Sequence, residues 1–257
     1  MRRFRRRVLP LAATALAVAA LAGPAGASHS WGNYHWARTS NPFELKLGDN
    51  VHSEWDSYLG TASTHWSTSE VLDTAIVAGG VGNLKRCPPT AGRVEVCTTA
   101  YGRNGWLGLA SVWASSDGHI TQATVKLNDT YFTKAYNTAS WRASVMCQEI
   151  GHTLGLGHDD EDFATHNGTC MDYSNTPEGN ERPGAHDYEQ LEAIYGAHDD
   201  GTTTLASSPG AAAGAGGGNS QAEWGRAIRY DAGGRPSLFE RDLGNGQKVF
   251  TFVTWAR

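Results

Sequence analysis

The chain has 257 residues, of which 40% are hydrophobic and 18% charged, with 31 glycines and a formal net charge of −5. Ordinary globular chains carry about 25% charged residues and about 7% glycine, yet nine Trp, nine Tyr and seven Phe make this one too aromatic to be wholly disordered. The length suffices for one domain with a sizeable core and a smaller appendage, and no basic patch follows the first seven residues, which excludes nucleic acid as a partner.

Arg2, Arg3, Arg5, Arg6 and Arg7 precede an apolar run from Val8 to about Leu21, closed by the small residues Ala25-Gly26-Ala27. This is the pattern of a secretory signal peptide over residues 1–27. A membrane anchor would need ~20 apolar residues, and Pro10 and Pro24 bracket a shorter run. The paired Arg2-Arg3 is compatible with twin-arginine export. Loss of residues 1–27 removes five arginines and no acid, leaving a net charge of −10. The expectation is a secreted, extracellular monomer with no stable membrane anchor. Its four cysteines then meet an oxidising environment. Of the three possible pairings, Cys87–Cys97 and Cys147–Cys170 close short loops and are favoured, each contributing about 3 kcal/mol by chain entropy. The alternative, four thiolates on one zinc, lacks a C-x-x-C pair.

Residues 28–200 read as one domain. Alternating or β-rich runs occur at 43–47, 93–96, 106–114 and 120–127, separated by turn signals such as Gly102-Arg103-Asn104-Gly105 and Ser115-Ser116-Asp117-Gly118. Val71 to Ala78 fits either a further strand or a short buried helix, and Trp55 to Tyr58 belongs to an earlier helical stretch. From about Ser140 to Leu154 the period becomes helical, with Trp141, Val145, Glu149 and His152 at three- and four-residue steps. A second helix is expected from Asp187 to Tyr195, stopped by Gly196. Residues 201–220, GTTTLASSPGAAAGAGGGNS, have the composition of a flexible linker spanning roughly 25 Å r.m.s.. Residues 221–257 carry strand-like runs around Gly233-Gly234 and Gly244-Asn245-Gly246 and suggest a small β-hairpin module. It is too short for a core of its own and is expected to dock on the main domain.

The chemistry concentrates in Cys147-Gln148-Glu149-Ile150-Gly151-His152-Thr153-Leu154-Gly155-Leu156-Gly157-His158-Asp159. On a helix, Gln148 and His152 lie one turn apart on one face, so both can grip one metal ion. Glu149 is offset by about 100°, close enough to bond a metal-held water without ligating the metal. Gly155 lets the chain leave the helix at positive φ and swings His158 back as a third ligand. Three ligands with one position open describe a catalytic zinc site.

The order Q-E-x-x-H-x-x-G-x-x-H resembles the metzincin metallopeptidase signature H-E-x-x-H-x-x-G-x-x-H, with Gln148 in place of the first histidine. Gametolysin-type peptidases are similar in carrying Q-E-x-x-H. Cys170-Met171-Asp172-Tyr173, with Met171 thirteen residues past His158, looks like a Met-turn, and its Met-x-Tyr spacing is similar to that of astacins and serralysins. His186-Asp187-Tyr188 through Gly196 resembles the closing helix of matrixins. The resemblance covers about residues 34–197 and implies an α+β, zincin-like fold: a twisted, mostly parallel five-stranded sheet on the active-site helix, with a lower subdomain bearing the Met-turn. It implies zinc on His152, His158 and Gln148, with Glu149 as general base and Tyr173 helping to stabilise the oxyanion, in a secreted endopeptidase acting on a protein or peptide substrate. The strand at Trp106–Ala114 would hold that substrate by β-addition.

The amide of Gln148 donates to zinc less well than imidazole, so a second reading stands beside the first: a catalytically inactive metzincin relative acting as a secreted binding protein. Of the remaining motifs, Asp159-Asp160-Glu161-Asp162 reads as a solvated loop, since it lacks the alternating ligands and central glycine of a calcium loop. Asp159 is expected to support the metal site as an acceptor behind a ligand. The other histidines show no ligand spacing, and the sequons at Asn128 and Asn167 carry little weight. No cysteine lies in residues 28–86, which excludes a cysteine-switch segment there.

Overall fold

The structure, a computed structural model, describes residues 29–133, 135–164, 166–197, 199–203 and 217–257. The expected signal peptide and most of the expected linker lie outside the described residues.

The period-two runs form β1 (His35–Trp36), β2 (Phe43–Asn50), β3 (Leu72–Ala78), β4 (Arg93–Thr99), β5 (Trp106–Ala114) and β6 (His119–Asn128). The segment that also fitted a short helix is therefore the strand β3, which pairs in parallel with β2. The helical period produces α1 (Ser53–Trp66), α2 (Ala139–Thr153) and α3 (Ala185–Tyr195). After residue 217 come α4 (Gln221–Trp224), β7 (Arg226–Tyr230), β8 (Pro236–Gly244) and β9 (Gln247–Trp255).

The nine strands among the described residues lie in one sheet of order β3-β2-β4-β6-β5-β9-β8-β7, with β1 beside the start of β6. The β1–β6, β2–β3, β2–β4 and β4–β6 pairs are parallel, whereas every pair from β6–β5 outward is antiparallel. The class is α+β, but the five strands expected of the sheet are nine, because the chain after residue 217 continues it. The physical reason is the outer edge of β5, whose backbone donors and acceptors need a partner. There β9 runs in register from Trp106↔Trp255 to Ala114↔Lys248. The turn from β8 to β9 uses Asn245 and Gly246 at φ 52° and 75°, the positive values that a two-residue hairpin favours. The sequence did not announce β8, since Pro236 and Glu240-Arg241-Asp242 interrupt its apolar alternation.

Helix α2 packs on β5, β6 and α1, and the main core fills the space between them with Trp66, Leu107, Val125, Ile150 and Met171 among others. Every residue of β5 is buried, because its second face is covered too: Trp106 and Leu109 meet Trp224, Phe239, Val253 and Trp255 in a separate apolar cluster. Lys126 is buried near this junction, donating to the Gly217 carbonyl and, at 3.0 Å, to Asn219 Oδ1. Disulfides join Cys87 to Cys97 and Cys147 to Cys170, leaving no free cysteine, so the short-loop pairing is the one found. Among the described residues no helix is long and apolar enough to cross a membrane.

Candidate metal centre

Helix α2 starts at Thr138, whose hydroxyl accepts from the Trp141 amide at 3.2 Å, and every residue from Ser144 to Thr153 is buried. Polar side chains this deep need partners, so Gln148, Glu149 and His152 call for an explanation. The helix ends where Leu154 and Gly155 donate to the carbonyls of Gly151 and His152 at 3.0 and 3.2 Å. Gly155 takes φ +96°, and a Cβ there would press on the Tyr34 carbonyl oxygen. The chain reverses, and His158 comes back with its ring 4.6 Å from that of His152 at 89°.

The two imidazoles are held alike. His152 Nδ1 lies 2.9 Å from the Leu156 carbonyl oxygen and His158 Nδ1 lies 2.9 Å from Glu161 Oε1. An acceptor at each Nδ1 requires a proton there, which leaves each Nε2 with its lone pair bare. Both Nε2 atoms are buried without a hydrogen-bond partner, and so are both carboxylate oxygens of Glu149. Burial, and after it the neighbouring His158 ring, hold His152 well below the usual imidazole range. Burial pushes the Glu149 carboxyl up to about 8.

Residues 159–164 and 166–173 form the floor. The Asp159 amide donates to the Met171 carbonyl at 2.8 Å and the Tyr173 amide to that of Asp160 at 3.0 Å, while the Cys147–Cys170 disulfide ties this loop to α2. Met171 fits beneath the helix because residue 151 is glycine; a Cβ there would collide with its sulfur. Gly108 on β5 likewise leaves room for the Glu149 carboxyl and the Val145 side chain. Tyr173 packs its ring 4.2 Å from that of His158, and burial raises its hydroxyl pKa well above the ordinary value.

The fold therefore brings Gln148, Glu149, His152, His158 and Tyr173 together, and it adds groups from β9 that sequence reasoning missed. Thr254 donates to Gln148 Oε1 at 2.6 Å, while Gln148 Nε2 donates to the Asp172 carbonyl at 3.2 Å. The Phe252 ring stacks on His152 at 4.1 Å and 10°, and the Tyr173 hydroxyl donates to the Val253 carbonyl at 3.1 Å. Thr254 lies 106 residues from Gln148, and no local spacing could signal the contact. A cavity of about 270 Å³ remains beside these groups, lined by Trp141, Gln148, Tyr173, Thr254 and Arg257 among others.

Two expectations are corrected here. The β5 edge expected to receive substrate is not open but paired along its length with β9, so a peptide could add there only by displacing that strand. The acceptor behind His158 is Glu161, whose i,i+3 spacing brings its carboxylate to Nδ1. Asp159 instead accepts from Asn167 Nδ2 at 2.9 Å. Glu161 is also bonded by Ser237 of β8 at 3.2 Å, so the acidic run is only partly a solvated loop. Two further clusters gather donors that the sequence keeps far apart: His29 with Asp159 and His186, and His35 with His119 and Asp200, with ligand atoms within 4.8 Å of one another in each.

No family model matches the sequence, and no curated protein does either. Among solved structures the chain is similar to myroilysin (12% identity, TM-score 0.37, covering 63% of this chain and 83% of that one). It is similar to archaemetzincin from Archaeoglobus fulgidus (17%, 0.31, 58% and 98%). It is also similar to a hatching-enzyme zinc-protease, high choriolytic enzyme 1, from the medaka Oryzias latipes (12%, 0.36, 65% and 98%). What the site does is read from its own residues.

Proposed function

We propose that the chain is a secreted zinc-dependent endopeptidase of metzincin-like architecture, matrixin-like and of the Q-E-x-x-H variety. The observation that carries this reading is the pair of buried, bare Nε2 atoms on His152 and His158 beside the unpartnered carboxylate of Glu149. Two lone pairs and a carboxylate buried together without donors are costly unless a cation joins them.

The donor set fits zinc. Two imidazoles, each oriented by an acceptor on its other nitrogen, and one amide oxygen are ligands of the type zinc takes, with a position left open. His152, His158 and Gln148 would hold it, and when bound it supplies Lewis acidity toward a peptide carbonyl and toward water. Glu149 takes a proton at its carboxylate and passes it to the leaving amine. The Tyr173 hydroxyl stays protonated and donates to a developing oxyanion. It already donates to a backbone carbonyl, that of Val253. Met171 and the Cys147–Cys170 disulfide brace the floor of the site.

Incubating the zinc-loaded full chain with a mixed peptide library, with and without a chelator, tests this reading. Cleavage that the chelator stops and added zinc restores is the expected result. Absence of chelator-sensitive cleavage favours the second reading, an inactive metzincin relative acting as a secreted binding protein. The hydrogen bond from Thr254 to the Gln148 amide oxygen speaks for that alternative, because it engages one of the two lone pairs a metal would draw on.

A further inference from the structure

In a peptidase that binds extended peptides by strand addition, the groove has two requirements: a free sheet edge and access to the reacting groups. Here one segment of the chain meets both from within. β9 lies antiparallel along β5 from Trp106↔Trp255 to Ala114↔Lys248, and strand alternation sends Phe250, Phe252 and Thr254 toward α2 while Val253 and Trp255 join the cluster on the opposite face. The inward side chains meet the site one by one. Phe252 covers the His152 ring, and Thr254 bonds the Gln148 amide oxygen beside Glu149. The carbonyl of Val253, between them, receives the Tyr173 hydroxyl that the mechanism assigns to a substrate carbonyl. Glu149 and His152 are both 0% exposed with β9 in place, so water reaches the carboxylate that must accept its proton only when the strand moves.

We propose that β9 is a resident pseudo-substrate that occupies the peptide groove most of the time and so lowers, without abolishing, the activity of the site, in competition with extended peptides presenting an aromatic side chain and, two residues on, a small hydroxyl one. The inference rests on the peptidase reading for its meaning, and it names both a regulation of that site and the substrate class it takes. The strand is not cleaved in place because its own Thr254 hydroxyl stands beside Glu149 where water is needed. Its hold is the sum of the β5 ladder, the ring stack and the outer cluster of Trp106, Leu109, Phe239, Val253 and Trp255. Weakening any one of these should shift the competition without dismantling the helix that carries the site.

Full-length variants test this. Phe252→Ala removes the ring over His152, and Thr254→Ala is the milder loosening variant should Phe252→Ala fail to fold. Ser111 and Thr251 face each other across β5 and β9 with hydroxyl oxygens 3.3 Å apart, so Ser111→Cys with Thr251→Cys locks the strand in place. The probe is a fluorescein-labelled peptide with the sequence of residues 247–257, and its anisotropy is followed in a Glu149→Ala background so that binding is read without cleavage. Hydrolysis of a quenched fluorogenic peptide is measured in parallel with Glu149 intact. Binding at least tenfold tighter to the loosened protein than to the parent, and lost in the locked one, is the expected result. Hydrolysis should rise and fall in step, returning in the locked protein on mild reduction. Equal binding by parent, loosened and locked proteins overturns the inference. Chelator-sensitive hydrolysis that is equal in all three overturns it as well and leaves the peptidase reading standing. Binding that follows the state of β9 while no variant cleaves supports β9 as the occupant of a peptide groove and sinks the peptidase reading instead.

Discussion

On one side of β5 the sheet consists of β6, β4, β2 and β3, largely parallel strands in which α1 makes the crossover from β2 to β3. On the other side it consists of β9, β8 and β7, antiparallel strands joined by tight turns and rooted in residues after 217. The first side seats α2 and with it Gln148, Glu149 and His152, all within five residues of one another. The second contributes Phe252 and Thr254, which reach the same place only through sheet register. The groups that would carry chemistry thus come from local helical spacing. The groups that cover them come from long-range pairing.

The largest expected effect lies on the helix side. His152→Ala removes one of two imidazoles and should take zinc from one per chain to a small fraction of that, measured by elemental analysis. Activity should fall by more than the about 10- to 100-fold typical of losing a group behind a ligand. Full zinc retention would contradict the assignment of His152. A second contrast separates the disulfides. Replacing Cys147 and Cys170 by serine should lower the unfolding free energy by about 3 kcal/mol and also weaken zinc binding, since that bridge joins α2 to the loop of Met171 and Tyr173. Replacing Cys87 and Cys97 should cost similar stability and leave zinc binding alone. Urea unfolding and zinc titration on the same samples distinguish the two.

The junction of the two sides carries its own pH dependence. Burial lowers the Lys126 ammonium from 10.5 to about 8, against the opposing pull of Glu223. Between those values the unfolded chain holds a proton that the folded chain has released. Stability contributed by this group is therefore lowest below about pH 8 and rises toward pH 10.5, by up to about 3 kcal/mol at 1.36 kcal/mol per unit. Lys126→Met should flatten that rise in unfolding curves recorded from pH 7 to 10, and an unchanged slope would contradict it. The smallest effect belongs to β9. Thr254→Val frees the Gln148 amide oxygen and should tighten zinc by roughly fivefold, the worth of about one neutral hydrogen bond. Looser binding would mean that Thr254 itself helps hold the ion.

Much of the helix side was legible before the fold was known. The three- and four-residue steps of α2, the positive φ required at Gly155 and the alternation of β2, β4, β5 and β6 are local, and each is written in consecutive residues. The Cys147–Cys170 bridge followed from loop length. The other side was legible only in part. Asn245-Gly246 announced a turn, but Pro236 and the charges at 240–242 hid β8, and nothing in the residues around Thr254 points to Gln148. Partnership across a sheet depends on register and edge availability, which no window of sequence contains. The same holds for Glu161 behind His158, where Asp159 was the nearer acid in sequence and the loop geometry chose the other.

The central claim is that Glu149 moves a proton beside a zinc ion held by His152, His158 and Gln148. Its most direct test is a paired measurement of zinc content and peptide hydrolysis on the parent and on Glu149→Ala. The account predicts equal zinc, near one per chain, and hydrolysis lower in the variant by about 10²–10⁴-fold. A variant that cleaves as fast as the parent, or a parent that binds no zinc, would contradict it.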